Sequence, residues 1–124
     1  MEKILCVDDE PAILQLYEEE FSEDGYKVVM AADGKEALMK YQAELPQLVI
    51  MDMRMPAMDG IEALTTILGK DRQASIIINS SFPQYRENFM SWAAEAYLIK
   101  ASDLGELKQK VRQVLDKRQF VKAA

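Results

Sequence analysis

Five short apolar runs recur along the chain at intervals of 20 to 28 residues, and they limit the folds that it can adopt. The runs begin near residues 4, 28, 48, 76 and 96, and each has three to five apolar residues in unbroken succession. Continuous runs of this length are typical of strands that are covered on both faces. Between them, apolar residues recur at helical spacing, as in Ile13, Leu14, Tyr17 and Phe21.

This alternation of strands and helices predicts one α/β domain with a flavodoxin-like (βα)5 fold. We expect a doubly wound sandwich around a five-stranded parallel sheet, in the order 2-1-3-4-5 with right-handed crossovers. Pro11 suits the first turn of the first helix. The pairs Asp33–Glu36 and Asp103–Glu106 have the spacing of a capping box, in which an N-cap carboxyl group pairs with the residue at position N3. The segment 84–94 is predicted as the fourth of five helices.

Composition excludes several classes of function. The net charge of −6 argues against unspecific binding of nucleic acid. No apolar stretch has the length of a membrane span or the form of a signal peptide. Cys6 is the only cysteine, so an internal disulfide is excluded and a cytoplasmic location is expected. The chain has no histidine, which rules out a histidine-based triad, a histidine metal ligand and a role as phosphohistidine carrier.

Polar residues close four of the five runs. Asp8 and Asp9 follow the first run, Asp52 the third, Ser80 ends the fourth and Lys100 follows the fifth. In the predicted strand order these positions meet at the carboxyl edge of the sheet, where ligands bind in such folds. Crowded carboxylates need a cation, and Mg²⁺ prefers their oxygen atoms. The pattern therefore predicts that Asp52 attacks a phosphoryl group, whose charge Mg²⁺, Lys100 and Ser80 offset.

Over essentially its whole length the chain resembles the receiver domain of two-component response regulators. The resemblance depends on three segments: Val7-Asp8-Asp9-Glu10-Pro11, Asp52-Met53-Arg54-Met55-Pro56-Ala57-Met58-Asp59-Gly60 and Ala96-Tyr97-Leu98-Ile99-Lys100. It implies that Asp52 accepts phosphate from the phosphohistidine of a sensor histidine kinase or phosphotransfer protein. It also implies that Asp9, Asp52 and the backbone carbonyl of Arg54 bind Mg²⁺ directly, while Asp8 acts through water.

The resemblance further implies a phosphorylation-activated switch. Ser80 would move toward the phosphoryl group and Tyr97 would turn inward, although the neighbouring Ser81 is an alternative to Ser80. The surface of helix 4, strand 5 and helix 5 would then change and control a downstream effector or an output domain of the same protein. A phosphorylation-dependent homodimer through that surface is a further option. The domain would catalyse only its own phosphorylation and dephosphorylation, and it would not itself bind nucleic acid or a membrane.

We expect the receiver domain to occupy residues 1–118, followed at 119–124 by a tail or a truncated linker. Two positions depart from the family pattern. Ala101 follows Lys100 where proline is usual, so we expect a trans peptide there, or a strained cis peptide if the site demands it. Asn79 is polar where the fourth strand normally ends in an apolar residue, and it can hydrogen-bond either within the site or within the sheet.

Other functions fit the sequence less well. A haloacid-dehalogenase-like phosphatase needs a second aspartate where Arg54 stands, and a flavodoxin needs a phosphate loop that acids at 8–10 would repel. The main alternative is a receiver-like interaction module that works without phosphorylation. Cys6 and the nearby methionines are interpreted as core residues rather than as a nucleophile and a copper site. Trp92 and Phe89 are either core residues or anchors for a partner.

Overall fold

The structure is a computed structural model, and it describes residues 1–52, 60–71, 73–81, 94–101 and 103–123. The prediction of a fourth helix, except for residue 94, and those for Arg54, Phe89 and Trp92 lie outside the described residues. The described elements, in chain order, are β1 (Lys3–Val7), α1 (Pro11–Glu23), β2 (Lys27–Ala31), α2 (Gly34–Glu44), β3 (Leu48–Met51), α3 (Gly60–Lys70), β4 (Ile76–Ser80), β5 (Ala96–Ile99) and α4 (Gly105–Ala123). The helix α4 is thus the fifth helix of the sequence prediction.

The five strands form one parallel sheet in the order β2-β1-β3-β4-β5. In its centre, Leu5 of β1 pairs with Val49 of β3, and Ile50 of β3 pairs with Ile77 of β4. All four predicted neighbour relations are present, which confirms the predicted fold class and strand order.

Helices cover both faces of the sheet, so alternate residues of each strand enter different cores. One core joins side chains such as Val49 to α2 and α3, and the other joins side chains such as Ile50 to α1 and α4. Cys6 is fully buried in the second core and Met51 in the first, which confirms that both are packing residues. Double coverage explains why the strands appear in the sequence as unbroken apolar runs.

Two helix starts agree with those predicted from the sequence, and one differs. Pro11 occupies the first turn of α1, and the Asp33 side chain accepts a hydrogen bond from the Glu36 N–H at 2.8 Å. The Asp103 carboxylate instead accepts from the Gly105 N–H at 2.8 Å, because α4 begins at Gly105. The helix continues through Ala123 without a break at residue 118, and the domain boundary there stays a prediction.

None of the helices in the described part of the chain combines the length and the apolar character needed to cross a bilayer. Because the strands are parallel, their carboxyl ends all lie at one edge of the sheet. Asp8, Asp52 and Lys100 each follow a strand directly, which brings their backbones to that edge.

Candidate functional site at the carboxyl edge of the sheet

The backbones of the two central aspartates are fixed by extensions of the sheet hydrogen bonds. The Asp8 N–H donates to the Ala31 carbonyl oxygen at 3.1 Å, and the Asp52 N–H donates to the Val7 carbonyl oxygen at 3.0 Å. Both residues are almost fully buried, Asp8 at 1 % and Asp52 at 5 % exposure. Two carboxylates thus lie buried beside each other at neighbouring strand ends, an arrangement that requires a compensating cation.

Lys100 supplies that cation. Its N–H donates to the Ser80 carbonyl oxygen at 2.9 Å, which ties the residue to the end of β4. Its Nζ lies 2.7 Å from Asp8 Oδ2 and 3.4 Å from Asp52 Oδ2. The Lys100–Ala101 peptide is trans, as expected, and proline is not needed to bring the ammonium group to the two acids.

The charges around Lys100 keep it protonated. Burial acts to lower the pKa of Lys100, but the pairing with Asp8 and the charge of Asp52 outweigh it and raise that pKa above the ordinary lysine value. The ammonium group is therefore a permanent positive charge at neutral pH. It lies beside the carboxylate that the sequence predicts as the phosphoacceptor, where it can attract a phosphoryl oxygen.

The carboxylates of this edge also have the chemistry of a metal site. Oxygen atoms of Asp8, Asp9 and Glu10 lie within 4.8 Å of one another. Asp8 Oδ1 accepts a hydrogen bond from the Glu10 N–H at 3.0 Å. Among the described residues, the buried Asp8 Oδ2 forms an ion pair with Lys100 but makes no contact with hydrogen-bond geometry. A buried carboxylate oxygen without a hydrogen bond, beside two exposed acids, fits a hard divalent cation such as Mg²⁺.

Glu10 belongs to this acidic group although the sequence analysis did not single it out. Its side chain is exposed, and its Oε1 lies 4.0 Å from Lys100 Nζ. Its place directly after Asp8 and Asp9 was the available signal. Asp52 is not among the clustered carboxylates found in the described residues, and its Oδ2 lies 3.4 Å from Lys100 Nζ. Direct binding of a metal ion by Asp52 and by the Arg54 carbonyl therefore stays a prediction.

The two predicted switch residues are both buried. Ser80 ends β4 with no exposed surface, whereas Ser81 is exposed, so Ser80 is the serine that lies within the edge of the sheet. Tyr97 is 2 % exposed and packs in the core beneath α2 and α3, opposite Ile78. Its side chain is buried in this structure, and its change of position on phosphorylation, inferred from the resemblance, stays a prediction.

Asn79 hydrogen-bonds across the core rather than within the acidic site or along the sheet. Its Nδ2 donates to the hydroxyl oxygen of Tyr17 in α1 at 2.6 Å. Tyr17 was predicted only as a residue of the apolar stripe of its helix. The polar character of Asn79 was a signal for a buried partner, but no local spacing connects positions 62 residues apart.

The family described as response regulator receiver domain matches residues 4–112 of the chain. The chain belongs to this family. The candidate site is therefore part of a response regulator receiver domain. It lies at the carboxyl edge of the sheet, where Asp8, Asp52 and Lys100 meet.

Similar proteins support the same family assignment. The chain is 34% identical to sporulation initiation phosphotransferase F of Bacillus subtilis (strain 168) over 92% of its own length and 94% of that protein. The response regulator TrrA of Thermotoga maritima, solved in complex with Mg²⁺-BeF, is 41% identical with a TM-score of 0.87, covering 92% of this chain and 99% of that one. In its complex with the histidine kinase ThkA, TrrA matches with 42% identity and a TM-score of 0.85, over 93% and 99% of the two chains. The chain spans about half the length of the first curated relatives, which are probable transcriptional regulators.

Proposed function

We propose that this receiver domain is a phosphorylation-operated switch in which Asp52 accepts a phosphoryl group from the phosphohistidine of a sensor histidine kinase or a phosphotransfer protein. The observation that carries the proposal is the Lys100 ammonium group shared between Asp8 and Asp52, at 2.7 and 3.4 Å. This arrangement would supply positive charge beside the Asp52 carboxylate, where phosphoryl oxygens would gather. The kinase complex of TrrA supports the choice of donor.

In the transfer, a carboxylate oxygen of Asp52 forms a bond to phosphorus as the bond from phosphorus to the donor nitrogen breaks. The electron pair of the broken bond stays on the donor imidazole, which becomes neutral or takes a proton from solvent. Lys100 offsets the negative charge on one phosphoryl oxygen, and the Ser80 hydroxyl donates a hydrogen bond to another. Asp8 holds Lys100 in place through their ion pair.

The acids of this edge are suited to hold Mg²⁺. Asp8, Asp9 and Glu10 offer clustered oxygen atoms. In the set implied by the family resemblance, Asp9, Asp52 and the Arg54 carbonyl would bind the ion directly and Asp8 would act through water. When bound, Mg²⁺ supplies positive charge that lets an anionic phosphoryl group approach these carboxylates. Among the solved relatives, the TrrA complex with Mg²⁺-BeF supports this choice of metal.

The proposed output is a change in the surface formed by the fourth predicted helix, β5 and α4, as Ser80 and Tyr97 adjust to the phosphoryl group. That surface would control a downstream effector or an output domain of the same protein, and it is also the proposed site of a phosphorylation-dependent homodimer. The proposed setting is cytoplasmic, with no direct contact between this domain and nucleic acid or membrane.

Acetyl phosphate with Mg²⁺ tests the assignment, because it donates a phosphoryl group without a partner protein. We expect intact-mass spectrometry to show a gain of one phosphoryl group, abolished by Asp52→Asn and by removal of Mg²⁺ with a chelator. Asp33→Asn, a carboxylate at the start of α2, is the matched control and should be phosphorylated normally. A chain that gains no mass would fit the phosphorylation-independent interaction module, and a gain that survives Asp52→Asn would overturn the choice of Asp52 as the phosphoacceptor.

A further inference from the structure

A buried polar pair lies next to the proposed site without belonging to it. Asn79 of β4 donates a hydrogen bond to the hydroxyl oxygen of Tyr17 in α1 at 2.6 Å, and the two residues are 5 % and 2 % exposed. Their neighbours in this core are apolar, among them Ile50 and Ile77. A buried polar pair is costly to dehydrate, and two apolar side chains would pack here without that cost. The pair therefore contributes a directional constraint that apolar packing does not supply.

The constraint acts on the strand end that carries Ser80. Asn79 directly precedes Ser80, whose carbonyl oxygen accepts the Lys100 N–H. Tyr17 is also within electrostatic reach of the acidic site. Burial and, after it, the charges of Asp8 and Asp52 raise the pKa of Tyr17, against the opposing effect of the Asn79 hydrogen bond. The hydroxyl thus stays a neutral hydrogen-bonding group.

Asn79 also lines a partly open pocket of about 220 Å³ between the sheet and the start of α4, together with Leu98, Leu104 and Leu107. A residue beside such a space has room for its side chain to move once its hydrogen bond is lost. The bond to Tyr17 therefore adds a side-chain restraint to the pairing of Asn79 with Leu98 in the sheet.

We propose that the Tyr17–Asn79 hydrogen bond is a positioning contact that holds the carboxyl end of β4 in the arrangement seen here and opposes the displacement of Ser80 on phosphorylation. The inference rests on the proposed function, since it concerns the equilibrium of that switch. A hydrogen bond of 2.6 Å weakens steeply with displacement, so a contact formed in only one arrangement biases the two-state equilibrium toward it. Tyr17 and Asn79 act through Ser80 and do not touch the phosphoryl group.

The test is the affinity of the Mg²⁺-loaded protein for beryllofluoride, a phosphoryl analogue, measured by calorimetry. We expect Tyr17→Phe to bind beryllofluoride about two- to tenfold more tightly than the wild type, the range that one neutral hydrogen bond covers. Tyr41→Phe is the matched control, because the Tyr41 hydroxyl also makes a single side-chain hydrogen bond, to Asp71 Oδ2 at 2.8 Å. That bond joins α2 to the end of α3, so its loss should leave the affinity unchanged.

The double variant Tyr17→Phe/Asn79→Leu separates positioning from stability. Replacing both partners by apolar residues restores much of the stability that a single change removes, because no buried polar group is left unpaired. We expect the double variant to keep the tighter binding of Tyr17→Phe. Wild-type affinity, or weaker binding, in the folded double variant would overturn the proposal. If the wild type fails to bind beryllofluoride, or Asp52→Asn binds it equally well, the proposed function falls, and this inference falls with it.

Discussion

The two edges of the sheet hold their charged side chains in different ways. At the amino edge, where the parallel strands begin, Lys3 Nζ pairs with Glu44 at 3.0 Å and Arg112 pairs with Glu2 at 3.0 Å. The exposures of these four side chains lie between 21 and 43 %. At the carboxyl edge, the Lys100 side chain is 15 % exposed and lies against carboxylates of 1 and 6 % exposure. The first edge has solvated surface pairs, and the second has a buried charge cluster.

The difference in burial also appears in the hydrogen bonds. Lys3 Nζ donates to the Glu44 carbonyl oxygen as well as to its carboxylate, and Arg112 donates to Tyr26 as well as to Glu2. Asp8 Oδ2, by contrast, is buried, and within the part of the chain that the structure describes it has the ion pair with Lys100 but no contact of hydrogen-bond geometry. Desolvated charges that are incompletely bonded do not favour folding, so the carboxyl edge has the features of a ligand site and the amino edge those of a structural one.

The largest effect should come from removing the cation of the carboxyl edge. Lys100→Met leaves Asp8 and Asp52 buried together, and we expect the free energy of unfolding to fall by about 3–5 kcal/mol in metal-free buffer at pH 7. Urea denaturation measures this loss. Added Mg²⁺ should restore part of it, because a bound divalent ion takes over the compensation of charge.

Lys3→Met is the matched change at the amino edge, where the lost pair is solvated. We expect a cost below about 1 kcal/mol, and Mg²⁺ should leave this difference from the wild type unchanged. Equal losses for the two lysine variants would remove the distinction between the edges.

A smaller effect separates the buried from the exposed acids within the carboxyl edge. Asp8→Asn keeps the shape of the side chain but removes its charge, and we expect the Mg²⁺ affinity to fall roughly 10- to 100-fold, the effect typical of groups that support metal ligands. Glu10→Gln should change the affinity little, because the Glu10 side chain is 63 % exposed. Calorimetric titration with Mg²⁺ measures both, and a greater loss for Glu10→Gln would place the metal site in the exposed part of the cluster.

Much of the difference between the two edges could be predicted from the sequence, because polar residues mark the ends of the apolar strands. The apolar runs determine which residues end each strand, and the parallel order brings Asp8, Asp52 and Lys100 together whatever their separation in the chain. Sequence could not show that Asp8 rather than Asp9 forms the close pair with Lys100. That choice depends on the turn in which Asp8 accepts the Glu10 N–H.

Contacts that depend on how a helix is rotated against the sheet could not be predicted from the sequence. The helical stripe correctly predicts that Tyr17 is buried, but only the packing of α1 against the sheet brings its hydroxyl to Asn79. The buried position of Tyr97 similarly depends on packing beneath α2 and α3. Local patterns record burial, whereas the partner of a buried polar atom is a property of the tertiary structure.

At the amino edge, the contacts of Arg112 should contribute only modestly to the free energy of unfolding. Arg112 donates to both carboxylate oxygens of Glu2, at 3.0 and 3.3 Å, and to the Tyr26 hydroxyl at 2.9 Å. Because its side chain is 43 % exposed, we expect Arg112→Ala to cost about 1 kcal/mol. Thermal denaturation measures the loss, and phosphorylation by acetyl phosphate should be unchanged. A defect in phosphorylation would show that the two edges are coupled.

The smallest effect should be the acid sensitivity of the Lys3–Glu44 pair. The hydrogen bond from Lys3, followed by its charge, lowers the pKa of Glu44 below the ordinary value of 4.5. The unfolded chain therefore binds a proton at this carboxyl at a higher pH than the folded protein does. The resulting stabilisation is complete above the unfolded value and is lost as the pH falls through the folded one.

Glu44→Gln removes this dependence. We expect the wild type to have a slightly higher Tm than the variant at pH 7, with the two values converging as the pH falls well below 4.5. Glu18→Gln, a change at an exposed position of α1, is the control and should show no such convergence. Because Glu44 is solvated, the difference should also shrink in high salt. A difference that persists in acid and in salt would mean that the amino-edge pair is as strongly shielded from water as the Lys100 cluster.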